Sequence, residues 1–318
     1  MNVSVLGCGR WGSFLAWYAA RVGHEVVLWG RESSLNLARF QAERRNEYLT
    51  LPPNVRLSDN LEEALAHAEI VLLSIGAQEV RSFAAQLVKQ KNWRGQTVVL
   101  CMKGLESDSG KRLSQVFAEE SGRSDNLAVW LGPGHVQDFV AGIPNCMVID
   151  SLQEHLTRQI VAAFHSPLIR FYYGQDLLGC EIGAAAKNVM GLAAGMLDAL
   201  GYGSLKGSLM ARGAREVSRL TVALGGNALT AYGLSHLGDY EATLFSAHSH
   251  NRKYGESFVR KEAFGKLAEG AATAVALREI GCRVEMPISQ AVYEILFDAK
   301  AAPEKLVDLF LRMPTTEF

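Results

Sequence analysis

Val3-Ser4-Val5-Leu6 runs directly into Gly7-Cys8-Gly9-Arg10-Trp11-Gly12, and an apolar helical pattern follows from about Ser13 to Val22. Strand, glycine turn and helix in this order predict the start of a nucleotide-binding βαβ unit. Gly7 permits a sharp turn, Gly9 lets backbone approach a pyrophosphate, and Gly12 lets the helix pack tightly on the strand. Backbone N–H groups at the helix start then face the anion. Glu25-Val-Val-Leu-Trp29 reads as the second strand of the unit, which predicts parallel pairing.

The rest of the chain agrees with an ordinary globular protein. It has 318 residues, 48% of them hydrophobic and 20% charged, long enough for two domains. A formal charge of −1 gives no global basic field, so nucleic acid and anionic membrane surfaces have no electrostatic support as partners. Cys8, Cys101, Cys146, Cys180 and Cys282 are scattered without a C-x-x-C pair, which argues against zinc or a disulfide framework. Reduced thiols, an opening strand in place of a leader, and no apolar run of about 18 residues predict a cytoplasmic protein.

Further strands are predicted at Ile70 to Ile75, Thr97 to Met102, Leu127 to Leu131 and Cys146 to Ile149, with helices at Leu61 to Ala66, Ser82 to Lys89 and Lys111 to Glu119. This is the pattern of a doubly wound sheet, whose ligands sit beyond the carboxyl ends of the strands. From about Asp176 strand signals stop. Helices are predicted over Gly183 to Leu200, Ser208 to Leu224, Glu256 to Ile280, Ile288 to Phe297 and Glu304 to Leu311. The expected fold is therefore α/β: a Rossmann domain over residues 1–175, then an all-helical substrate and catalytic domain over 176–318.

Within this frame a few polar residues stand out. Arg31, just after the second strand, is placed either to pair with a ribose 2′-phosphate or to lie in solvent, and Glu32 comes one place late for the acid that binds a 2′-hydroxyl. NADP, or tolerance of both NADP and NAD, is the resulting expectation. Lys103 directly follows a long apolar strand, as a ligand contact or as a surface lysine. Lys187 is the only charge between Glu181 and Asp198, in a strip of glycine and alanine. It either snorkels to water or is held partly desolvated, which lowers its pKa and suits it to proton transfer. His248-Ser249-His250-Asn251-Arg252-Lys253 gathers donors at a helix start, suited to a phosphate or hydroxyls. His236, His248 and His250 lack the spacing of a metal set, so no metal is expected.

Taken together, the sequence resembles the soluble NAD(P)-dependent glycerol-3-phosphate dehydrogenases along nearly its whole length. The resemblance rests on Gly7 to Gly12, Leu28-Trp-Gly-Arg31, Met102-Lys-Gly-Leu-Glu106, Leu131-Gly-Pro133, Phe164-His-Ser-Pro167, Glu181-Ile-Gly-Ala-Ala-Ala-Lys-Asn188, Arg212-Gly213, Gly233-Leu-Ser-His-Leu-Gly-Asp239, Asn251-Arg252, Ala268-Glu-Gly270 and Val284-Glu-Met-Pro287. It implies a 6-phosphogluconate-dehydrogenase-like two-domain fold and reversible hydride transfer between a nicotinamide cofactor and dihydroxyacetone phosphate. The product, sn-glycerol 3-phosphate, would supply glycerophospholipid synthesis. Lys187 matches the family's general acid/base. Lys103 matches a second lysine that contacts substrate and cofactor, and Asp239 an aspartate that orients the catalytic lysine and binds a substrate hydroxyl. The resemblance also implies substrate contacts at Gly132, Thr243, Ser249, His250 and Asn251, and cofactor contacts at Gly7, Gly9, Arg10, Trp11, Gly12, Arg31, Val136 and Glu269. The apolar helical domain suggests a homodimer.

The sequence also departs from the family pattern. His250 stands where the family has an arginine for the substrate phosphate, and a histidine offers no bidentate fork. Phosphate affinity is expected to fall unless Arg252, Lys253 or Lys206 compensates. Gly134 replaces a serine, Gly76 a proline, and Arg10 a small residue. Two other readings follow: a same-fold dehydrogenase for a different small hydroxy or keto compound, and a non-catalytic dinucleotide-binding redox sensor.

Overall fold

The computed structural model describes residues 1–313, 316 and 317. The chain forms two compact units, one of residues 1–103 and 111–181, the other of residues 104–110 and those from Ile182 onward. Among the described residues no helix is long and apolar enough to cross a membrane.

The first unit is built on one eight-stranded sheet. Its strands are β1 (Asn2–Leu6), β2 (Glu25–Trp29), β3 (Arg56–Ser58), β4 (Ile70–Leu73), β5 (Thr97–Leu100), β6 (Leu127–Leu131), β7 (Asn145–Ser151) and β8 (Ile169–Tyr173). They lie in the order β3-β2-β1-β4-β5-β6-β7-β8. All neighbours pair parallel except β6 and β7. Strands β1, β2, β4, β5 and β6 are apolar along nearly their whole length, as strands covered on both faces must be. Chain order reverses at β1, between β2 and β4, the switch point where such sheets bind ligands.

The helices of this unit are α1 (Arg10–Arg21), α2 (Leu35–Glu43), α3 (Leu61–His67), α4 (Val80–Leu87), α5 (Leu113–Ser121), α6 (Val136–Val140) and α7 (Glu154–Phe164). Helix α1 buries an aromatic face: Phe14 stacks on Phe139 with centroids 4.9 Å apart, and Tyr18 meets Trp130 edge-on at 5.9 Å. Such pairs add about 0.5–1.5 kcal/mol each beyond the area they bury. The Tyr18 hydroxyl donates to Phe164 O at 2.5 Å, and burial pushes the phenol up to about 12.

The second unit is helical. The 23-residue α8 (Leu177–Ala199) starts in the first unit and passes into the second at Ile182. It is followed by α9 (Lys206–Ala223), α10 (His250–Arg260), α11 (Glu269–Ile280), α12 (Pro287–Phe297) and α13 (Ala302–Asp308). Glu216 on α9, fully buried, accepts from Ile288 N, Ser289 N and Ser289 Oγ at 2.6–2.9 Å and so satisfies the first turn of α12. The loop 104–110 joins this unit, with Gly110 lying against Ile280.

One expectation is corrected. Residues 256–280 are two helices, because α10 ends on Lys261 in the left-handed region (φ +59) and the polar, glycine-containing stretch 261–268 separates it from α11. The sequence reading also passes over β3, only three residues long, and β8, an edge strand with just two buried residues.

Candidate active site

The glycine turn has the form a dinucleotide requires. Gly7 has φ +114, and a Cβ there would lie 2.0 Å from Ser74 O. A Cβ on Gly12 would lie 1.8 Å from Gly7 O, so α1 rests against the turn with no room for a side chain. Around Gly9, by contrast, nothing lies within 4 Å of the Cβ position, and its carbonyl accepts from Ser13 N at 2.9 Å. Close packing on two glycines and open space at the third fit a pyrophosphate laid over the start of α1.

Other residues of the first unit gather around this turn. The Arg10 guanidinium donates to Gln137 Oε1 at 2.9 Å and lies 5.0 Å from the Tyr48 ring centroid; burial lowers its pKa from the usual arginine value. Trp11 is tilted against Phe14 at 4.8 Å and Phe139 at 6.4 Å. Val136, first residue of α6, is buried. Arg31 forms an ion pair with Glu79, an acid the sequence reading does not single out.

At the carboxyl ends of β5 and β6, Lys103 Nζ donates to Gly132 O at 2.7 Å. Gly132 has φ +126, and Gly134 has φ +145 with a Cβ position 2.2 Å from the Phe139 ring. A serine at 134 would strike that ring, so this departure from the family pattern has a local steric cause.

In the second unit the small residues of α8 serve close packing. A Cβ on Gly183 would lie 2.8 Å from His236 Cβ, one on Gly191 would lie 2.8 Å from Thr243 Cγ2, and one on Gly195 would lie 1.8 Å from Arg252 O. The segment 236–252 therefore lies directly on α8. There it runs through a tight turn at Leu237–Asp239 and a wide π-type turn at Glu241–Phe245, a form often found at functional sites. These turns bring Asp239 and Thr243 onto Lys187.

Lys187 is 6% exposed, and Nζ lies 2.5 Å from Asp239 Oδ2 and donates to Thr243 Oγ1 at 2.8 Å. The Thr243 hydroxyl donates to Asp239 O at 2.7 Å, so lysine, aspartate and threonine form one closed, buried set. The lysine neither snorkels to water nor lacks a counter-charge. Burying a charge pair costs several kcal/mol per ion before attraction and hydrogen bonding offset it, so the pair is a poor way to gain stability alone.

A second buried group stands beside it. His236 Nδ1–H donates to Gly183 O at 2.8 Å, and the Tyr240 hydroxyl donates to His236 Nε2 at 2.7 Å. Burial lowers the imidazole to about 4, helped by the nearby Lys187 charge, so His236 is neutral and ties the turn to α8.

The remaining candidates lie on α10 and α11. Ser249 caps α10, its Oγ accepting from Arg252 N at 3.3 Å. His250 donates to Leu267 O at 3.2 Å. Asn251 donates to Asn188 Oδ1 at 3.0 Å and accepts from Gly270 N at 2.9 Å, linking the neighbour of Lys187 to the first turn of α11, where Glu269 is the opening residue. Arg252 and Lys206 both pair with Asp198, at 2.6 and 2.7 Å. Two of the three cations expected to compensate for His250 thus share one carboxylate. Among the described residues no group of three histidine, cysteine or acidic side chains could hold a metal ion.

Residues 2–157 match the family model described as NAD-dependent glycerol-3-phosphate dehydrogenase N-terminus, and residues 176–308 that of its C-terminus. A protein named glycerol-3-phosphate dehydrogenase [NAD(P)+] from Chlorobium limicola is 34% identical, covering 100% of this chain and 99% of its own length. One of the same name from Moorella thermoacetica is 36% identical, over 99% and 97%. A crystal structure of glycerol-3-phosphate dehydrogenase from Coxiella burnetii superposes with a TM-score of 0.89 at 25% identity, covering 98% of each chain.

Proposed function

Since the chain belongs to the NAD-dependent glycerol-3-phosphate dehydrogenase family and is an NAD(P)-dependent glycerol-3-phosphate dehydrogenase, we propose that Lys187 moves the proton of its reaction, with Asp239 and Thr243 aiming it. The enzyme interconverts dihydroxyacetone phosphate and sn-glycerol 3-phosphate, supplying glycerophospholipid synthesis. The observation that carries the proposal is the closed set Lys187, Asp239 and Thr243. NAD or NADP, when bound, supplies or takes up a hydride at the carbonyl carbon of the substrate. In the reducing direction the Lys187 ammonium stabilises the negative charge that grows on the carbonyl oxygen and then gives it the proton. Asp239 and Thr243 fix the direction of Nζ. In the oxidising direction neutral Lys187 takes the hydroxyl proton.

Residues 1–175 are assigned to the dinucleotide and 176–318 to substrate and catalysis. In the first part Gly7, Gly9, Gly12 and the start of α1 would hold the pyrophosphate, with Arg10, Trp11, Arg31, Lys103 and Val136 contributing to the cofactor site. Glu269, on α11, is assigned a cofactor contact. Substrate contacts are assigned to Lys103 and Gly132 in the first part and to Asp239, Thr243, Ser249, His250 and Asn251 in the second. The scattered cysteines, without a C-x-x-C pair, support a reducing, cytoplasmic setting, and a homodimer is the assigned assembly. The test is oxidation of NADH and NADPH with dihydroxyacetone phosphate or phosphate-free dihydroxyacetone. Turnover with the phosphate ester and at least a hundredfold lower kcat/KM without the phosphate is expected, about 3 kcal/mol of binding energy. Equal use of both ketones would overturn the substrate assignment.

A further inference from the structure

Arg31 follows β2 by two positions, at the place where a nucleotide-binding βαβ unit reads the ribose 2′ position. A free guanidinium there selects the 2′-phosphate of NADP. This one is not free: it is paired with the Glu79 carboxylate, which ends the short turn Ala77–Glu79 after β4. The two side chains are 55% and 47% exposed. So exposed a pair is weakly held, and a competing anion can open it.

We infer that Glu79 sets the preference between NAD and NADP, a role that rests on reading the glycine turn as the dinucleotide site. It acts in two ways. A 2′-phosphate must take Arg31 from a carboxylate and then lie beside that like charge, which weakens NADP. A 2′-hydroxyl can donate to the same carboxylate, which favours NAD. Glu79 thereby does from the end of β4 what an acid at the end of β2 does in an NAD-selective site, and Arg31 keeps NADP admissible.

The test uses the cofactor-free protein, its Glu79→Gln and Arg31→Gln variants and the double variant. Equilibrium affinities are measured for NADPH, NADH, adenosine 2′,5′-bisphosphate and 5′-AMP. Glu79→Gln is expected to raise the NADPH to NADH affinity ratio on the order of fivefold, with the same shift in the bisphosphate to AMP ratio, as removal of one exposed charge warrants. In the Arg31→Gln background a shift in the same direction should remain, because the carboxylate repels the 2′-phosphate and accepts from the 2′-hydroxyl without Arg31. An unchanged ratio on Glu79→Gln, in the parent or in the Arg31→Gln background, overturns the inference. If the unaltered protein binds none of the four, it is the dinucleotide reading that fails.

Discussion

His250 stands where the family resemblance implies an arginine for the substrate phosphate, and its surroundings bear on what that costs. The imidazole donates to Leu267 O, while the nearby cations Arg252 and Lys206 are drawn onto Asp198. A histidine lacks the planar fork with which a guanidinium makes two parallel hydrogen bonds to a phosphate. His250→Arg is therefore expected to lower KM for dihydroxyacetone phosphate about tenfold, the 1–2 kcal/mol of a charge-assisted hydrogen bond, with little change in kcat. Steady-state kinetics at saturating NADH checks this, and an unchanged KM would remove residue 250 from the phosphate site. Gly134, another of the departures, has the Phe139 ring in the space that a side chain would take.

At the scale of elements, α8 and the segment lying on it form the working part of the second unit, and His236 joins the two. Its folded pKa near 4 lies below the ordinary value of about 6.5. Between those values the unfolded chain holds a proton that the folded chain does not, so stability is lost as pH falls from 6.5 towards 4. The loss is on the order of 3 kcal/mol. His236→Asn, whose amide stands where Nδ1 does, should be less stable at pH 7 and should lose this part of the pH dependence. Urea unfolding at a series of pH values checks it, and an equal slope in both proteins would contradict the burial argument.

The element scale also shows what the sequence made legible. The β1, β2 and β6 runs and the glycine turn are readable because a strand buried on both faces is a continuous apolar run and a phosphate turn has few permitted residues. Strand β8 escapes because an edge strand buries only alternate residues, whereas β7 is read from Cys146 to Ile149 but its antiparallel pairing with β6 leaves no local signal. The break at Lys261 escapes because a left-handed lysine carries no glycine signal. Lys187 is conspicuous as a lone charge among small residues, whereas the pairing of Arg31 with Glu79, 48 residues apart, depends on topology alone.

At the scale of the whole molecule, the glycine turn lies in one compact unit and Lys187 in the other, so the proposal gives cofactor binding to the first and proton transfer to the second. A near-neutral chain needs local charge to hold an anionic substrate. The account turns on Lys187 as the proton donor, and Lys187→Met tests it most directly. Dihydroxyacetone phosphate turnover and NADH affinity are measured on the same sample, alongside Lys187→Met/Asp239→Asn to relieve the carboxylate left buried. The predicted result is a fall in kcat of about 10²–10⁴-fold in both variants, the usual worth of a positioned acid, with NADH affinity within about twofold of the parent. Turnover within tenfold of the parent in the folded double variant would contradict the account.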